Sequence, residues 1–479
     1  MTDDRKLYIN GIDVSTGEYL VEPMTYEQAV KYIRGEPYNP PLVETLKKLL
    51  KKLTGITLGW PASLDLDRID KAGWGVVFAS DEDSEVKKQI SRLVDHRLSQ
   101  IVDATIVKEL TYDTDKRPDW RTWLATYGVS LGSPDPHKVP YYLLVVGSPE
   151  RIPFDFGYLL STEYAVGRLH FDDAEGYRRY INSLIQYEKG KASPRAKQAV
   201  FFAPRLNFDP ATQRSADQLI NPLADGVPPQ PSPRRIEGFQ VHKVLGTGAT
   251  KQALVDLFAT SVGKLPPAFL FVASHGMGTR KSNDDQPALH GALVCQDWPG
   301  YGAIDSKHYF SASDVPTNSQ LHGLISFFFA CYSAGTPAFD RYLHEPKQKP
   351  PRIADRAFIA ALPKAMLSHP NGGALACIGH VELAWSCSYI ASTPGANLNH
   401  FQNAVTWLLQ GKPVGWAMKD FPLLYMQKST DLSKKLEEIS FQGIVSDQDL
   451  AVNWIERNDA EGYIILGDPA VSLRVSNLI

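Results

Sequence analysis

The sequence predicts an α/β protein built on a parallel sheet, and three observations carry that prediction. Two apolar runs, Ala268-Phe-Leu-Phe-Val-Ala273 and Leu324-Ile-Ser-Phe-Phe-Phe-Ala330, are rich in β-branched and aromatic residues and are followed closely by glycine. They read as strands buried on both faces, as in parallel sheets. From Trp74 onward, such runs alternate with segments of helical period. The chain of 479 residues exceeds one ordinary core, so two or three domains are expected.

Residues 1–70 read as an N-terminal helical or irregular segment. Within it, 42–53 is an amphipathic helix with lysines opposite its apolar stripe, docked on the body with the lysine face in water. Residues 71–190 form a first α/β subdomain. It has strands at 74–79, 139–147 and 164–169, a helix from Asp83-Ser84 to about Arg97, and a helix opened by Asp172-Asp173. Residues 110–138, rich in charge and proline, read as a long surface connection. Residues 196–479 form the larger domain, with strands at 199–203, 239–244, 267–273, 324–330 and near 374. Its helices are expected at 211–221, 250–258, 354–367, 399–410 and 413–428.

Composition removes several classes of function. A net charge of −3 gives no electrostatic argument for nucleic acid or an anionic membrane. No apolar run is long enough to span a bilayer. The polar start Met1-Thr-Asp-Asp-Arg-Lys-Leu lacks the apolar stretch of a secretory signal. The four cysteines, Cys295, Cys331, Cys377 and Cys387, have no CxxC pairing, which argues against a zinc site and a disulfide framework. A cytoplasmic protein without metal or cofactor is expected. No GxGxxG follows an early strand, and no GxSxG is present.

The chemistry is expected where two strands end. His275 follows one apolar run and Cys331 the next, so both stand at the edge of a parallel sheet where ligands bind. An imidazole beside a thiol makes a cysteine nucleophile at neutral pH. Cys331 is then the nucleophile and His275 the acid that protonates a leaving amine. Gly276, without a Cβ, lets backbone approach a scissile carbonyl, and its N–H with that of Cys331 forms the oxyanion site. An inert buried thiol and a structural histidine are the competing reading.

The ordered motifs resemble the caspase-like (clan CD) cysteine peptidases, nearest their gingipain-type (C25) and CHAT-domain members. An apolar strand ends in His275-Gly276 and the next in Ala330-Cys331-x-x-x-Gly335. Before them stand Tyr141-Tyr-Leu-Leu-Val-Val-Gly147, Arg151-Ile-Pro153 and Tyr164-Ala-Val-Gly-Arg-Leu169, and after them Gly372-Gly-Ala-Leu-Ala-Cys-Ile-Gly379, Trp385 and Ile464-Ile-Leu-Gly-Asp-Pro469. The resemblance spans residues 140–475. It implies a caspase/gingipain-like parallel-sheet catalytic domain preceded by a smaller α/β subdomain, and a cysteine endopeptidase with a Cys/His dyad acting on peptide or protein substrates. It implies a pocket carboxylate at Asp209, with Glu382 and Trp385 on the opposite wall, and thus cleavage after Arg or Lys, while Arg205 close by would favour an acidic residue and an apolar preference stays open. Regulated bacterial proteolysis, with a regulatory protein partner, is the setting it suggests. The alternative is a catalytically inactive caspase-like scaffold that binds a peptide in the same groove. Gingipains are secreted with a pro-segment, and a departure from them is expected here, with no inhibitory pro-segment. Self-cleavage is expected instead at Lys347-Gln348, with Arg235-Ile236 as the second choice.

Overall fold

Apolar runs of five to eight residues, spaced by helices, build one extended sheet. The structure is a computed structural model describing residues 6–33, 60, 64–226, 232–259, 264–279, 285–300, 302–340, 349–386, 388–389 and 398–479. The expected helix at 42–53, Cys387 and the Lys347-Gln348 bond lie outside the described residues.

Ten strands are named in chain order: β1 (Trp74–Ala79), β2 (Val107–Tyr112), β3 (Tyr142–Val146), β4 (Ala165–Leu169) and β5 (Ala196–Ala203). Then follow β6 (Gln240–Leu245), β7 (Pro267–Ala273), β8 (Ile325–Phe329), β9 (Ala376–His380) and β10 (Tyr463–Gly467). They form a single sheet in the order β2-β1-β3-β4-β10-β9-β8-β7-β5-β6. Every neighbouring pair is parallel except β9 with β10. The strands expected in two successive domains thus share one sheet, with the closing strand β10 between the two sets.

The middle of the sheet is held by aromatic stacking across strands. Phe271 faces Phe327 in register, their rings stacked 4.6 Å apart and nearly parallel, and Phe201 continues the row. Phe401 and Phe421, from the helices Asn399–Leu409 and Asp420–Ser440, cover that row. Such pairs add about 0.5–1.5 kcal/mol each beyond their buried area.

Two expectations change. The stretch 110–138 is not one surface connection: it contains the end of β2 and the helix Trp120–Thr126, capped by Asp119. Val107-Lys-Glu-Leu-Thr-Tyr112 alternates in burial, and as the edge strand it tolerates charge on its open face. The helix expected from 354 begins at Ala361, because Phe358–Ile359 pairs with Gly335–Thr336.

Above β7 sits a second sheet of four short strands, in the order Tyr309–Phe310, Leu293–Val294, Gly276–Gly278, Gly11–Asp13. Its last member comes from the N-terminal segment, which brings residues 8–13 to the end of the main sheet.

Candidate active site

The register of β7 with β8 pairs Ala273 with Phe329, so His275 and Cys331 each follow two residues beyond a paired position. Both reach the same height at the C-terminal ends of adjacent parallel strands. The next residue, Gly276, lies against the Cys331 backbone: a Cβ there would fall 1.8 Å from the Cys331 carbonyl oxygen. No side chain fits, and the two backbone N–H groups converge.

They converge on one acceptor. The N–H of Gly276 donates to the Asn10 carbonyl at 2.8 Å, and the N–H of Cys331 donates to the same oxygen at 3.1 Å. The chain on either side of Asn10 is held as an added strand. The Asn10 N–H donates to the Ala384 carbonyl at 2.8 Å, Ile9 bridges Trp385 antiparallel, and the Ser386 N–H donates to the Tyr8 carbonyl at 3.0 Å. Beyond it, Gly11–Asp13 pairs parallel with Gly276–Gly278. Gly11 passes over the thiol so closely that a Cβ would lie 2.7 Å from Cys331 Sγ.

His275 is fully buried, and its Nε2 is 2.6 Å from Asp209 Oδ2. Asp209 caps the short helix Pro210–Arg214 and accepts a further hydrogen bond from the Tyr19 hydroxyl. Burial pushes the Asp209 carboxyl up, but His275, Tyr19 and Thr212 outweigh it and hold it at about 2. The Tyr19 ring packs edge-on against the imidazole, with Trp298 nearby. The other ring nitrogen, Nδ1, is buried and has no hydrogen-bond partner among the described residues. With Nε2–H donating to the ionised Asp209, Nδ1 keeps the free lone pair of a neutral ring.

Cys331 is fully buried under this segment, and burial pushes its thiol well above the ordinary range. Its sulfur accepts from the Ala384 N–H at 3.1 Å. The other described thiols, Cys295 and Cys377, are free and buried, and burial pushes Cys377 up to about 12.

The site residues expected from sequence therefore divide. His275, Gly276 and Cys331 come together at one sheet end. Asp209 is a correction: it does not stand free in a substrate pocket, because its carboxylate is committed to His275 and Tyr19. Trp385 contributes backbone rather than an indole wall, since its ring packs on Trp454 and its N–H donates to Asp459. Glu382 is buried, its carbonyl accepting from the Tyr332 N–H and its own N–H donating to His380. The sequence reading missed Asn10, Tyr19, Ser215 and Ala384. The cue was Tyr8-Ile-Asn-Gly-Ile-Asp13, a short alternating strand with a buried polar centre. An apolar cavity of about 250 Å³ is lined by Trp60, Tyr141, Tyr164, Met418 and Phe421, not by His275 or Cys331.

A thiol, an imidazole backed by a carboxylate, and two N–H groups closed on one peptide carbonyl thus meet at one end of the sheet. The model of peptidase family C25 matches residues 111–474, and the chain belongs to that family. Among curated proteins none matches the chain. A solved structure described as a protease is similar at 12% identity and a TM-score of 0.47, over 84% of this chain and 78% of that one. A Saccharomyces cerevisiae separase–securin complex is similar at 11% identity and a TM-score of 0.31, over 92% of this chain and 24% of that one. No described helix is long and apolar enough to cross a membrane, and no described cluster of His, Cys, Asp and Glu could hold a metal ion.

Proposed function

We propose that the chain is a cysteine endopeptidase in which Cys331 attacks the scissile carbonyl and His275 carries the proton. The N–H groups of Gly276 and Cys331 stabilise the oxyanion. The observation that supports this reading is the Asn10 carbonyl, held by both N–H groups beside the thiol. Two donors aimed at one oxygen in a dry site are the arrangement that stabilises a tetrahedral intermediate. The added strand along 384–386 supplies the backbone pairing with which extended peptides are gripped. Asp209 adds a third member to the dyad, fixing the imidazole through Nε2 and leaving Nδ1 to exchange the proton.

Cleavage after Arg or Lys loses its carrier once Asp209 is committed to His275. A role in regulated proteolysis fits a groove that the chain itself fills. In a peptide-library assay, Cys331→Ala and His275→Ala should each lower turnover by roughly three orders of magnitude or more. The double variant should be little worse, because such groups act as a unit. Turnover that survives in Cys331→Ala would sink the assignment and leave the peptide-binding scaffold as the reading.

A further inference from the structure

Asn10 sits where a substrate residue would sit. Its carbonyl is held by the Gly276 and Cys331 N–H groups, its backbone N–H is paired with Ala384, and the following Gly11 lies over the Cys331 sulfur. Its side chain is fully buried, in a stretch that also buries Ile9 and Ile12. A strand with a purely structural duty would place an apolar residue there, since a buried carboxamide with an unpaired oxygen is costly. Nδ2 reaches the Ser274 carbonyl at 3.4 Å and Ser215 Oγ at 3.5 Å, and Oδ1 has no partner among the described residues. Among the described residues the carboxamide is hydrogen-bonded only to these two neutral groups, which suits an amide and disfavours a guanidinium or ammonium.

Resting on the assignment of Cys331 and His275 above, we propose that the enzyme is selective for asparagine before the scissile bond, and that its own Asn10–Gly11 bond is a cleavage site. In this step the Cys331 thiol loses its proton to His275 Nδ1 and the sulfur adds to the Asn10 carbonyl carbon. The C–N bond to Gly11 then breaks as His275 returns the proton to the Gly11 nitrogen. This leaves Asn10 as a thioester on Cys331. Water adds to the thioester, giving the Asn10 carboxylate and restoring the thiol, so one water is consumed per bond. Glycine after the bond is required sterically, because any Cβ there would strike the sulfur. Gly11–Asp13 stays paired with Gly276–Gly278 after the cut. Departure of the residues before it frees the 384–386 edge and the oxyanion site for a second chain.

The test uses the full-length chain. Intact mass and N-terminal sequencing after incubation should show wild type beginning at Gly11, while Cys331→Ala stays whole. Asn10→Arg should be cut roughly 100-fold more slowly and Asn10→Gln less severely affected, as expected for a pocket built to bind one polar group. The processed enzyme should hydrolyse a quenched fluorescent peptide Leu-Tyr-Ile-Asn-Gly-Ile-Asp in trans at least about 10-fold faster than Leu-Tyr-Ile-Arg-Gly-Ile-Asp. The trans comparison holds even where a position-10 variant fails to fold. Equal cutting at Asn10 in Cys331→Ala would mean spontaneous asparagine cyclisation and overturn the inference. So would a whole wild-type chain that hydrolyses the Arg peptide in a Cys331-dependent way, which leaves the proposed peptidase standing. No Cys331-dependent hydrolysis of any peptide would overturn both.

Discussion

Asp209 carries the histidine, and its environment sets what removing it should do. Its charge is held between His275 and Tyr19 in a fully buried position. Asp209→Asn keeps the size but removes the charge that fixes the ring, and kcat/KM should fall by roughly 10²–10⁴ with the fold intact. The carboxyl lies below its ordinary 3.8, at about 2, so its contribution is present above pH 4 and lost as pH falls through 2. That contribution is about 2 kcal/mol, and wild type should lose it on acid titration while Asp209→Asn does not. A rate profile unchanged in Asp209→Asn would show the carboxylate to be structural only. His275 and Cys331 were legible because a strand's end can be read from its apolar run. The job of Asp209 was not, because loop position says nothing of where a carboxylate turns. Its distance of 66 residues from His275 hides the pair from any local reading.

Among the elements, the segment 384–386 grips the occupant of the groove, and it hangs on the helix Asp447–Gly462. Asp459 in that helix accepts the Trp385 N–H at 2.9 Å. Burial pushes the Asp459 carboxyl up to about 7, with Glu456 adding to it and the Trp385 and Ser388 hydrogen bonds opposing. His380 stands beside it, its imidazole pushed down to about 4 by burial. A raised carboxyl favours the folded state while protonated. The sign is therefore that stability is full below the ordinary 3.8 and declines until pH passes 7. The loss is up to about 4 kcal/mol for a shift of this size. Asp459→Asn, which still accepts the N–H, should flatten the fall in denaturant midpoint between pH 5 and pH 8, and an unchanged slope would point elsewhere. Elements of five or more apolar residues were legible from sequence. The strands at Gly11–Asp13 and Gly276–Gly278 were not, because three residues carry no period and their partners lie some 265 residues apart.

At the scale of the molecule, β10 joins what the sequence presented as two domains. It pairs with β4 on one side and β9 on the other, so neither strand set is complete without it. Just beyond β10, Asp468 binds the Trp74 indole N–H and the Arg97 guanidinium, and Arg97 also pairs with Glu188. These residues come from β1, the helices Ser84–Leu98 and Ala174–Glu188, and the end of the closing strand. Arg97 and Asp468 are almost wholly buried, so their charges rely on each other rather than on water. Domains separate in unfolding only where few contacts cross their boundary, and here a strand and an ion network cross it. We propose that the two strand sets unfold together. Calorimetry should show one main transition, and Arg97→Ala, which leaves the buried Asp468 carboxylate without its cation while Glu188 keeps His96 and Gln100, should lower that transition by about 3–5 kcal/mol. Two resolved transitions in wild type, with Arg97→Ala shifting only the first, would instead mark residues 71–190 as an independent unit. In that case β10 stays with the larger domain, and the sheet is continuous without being cooperative.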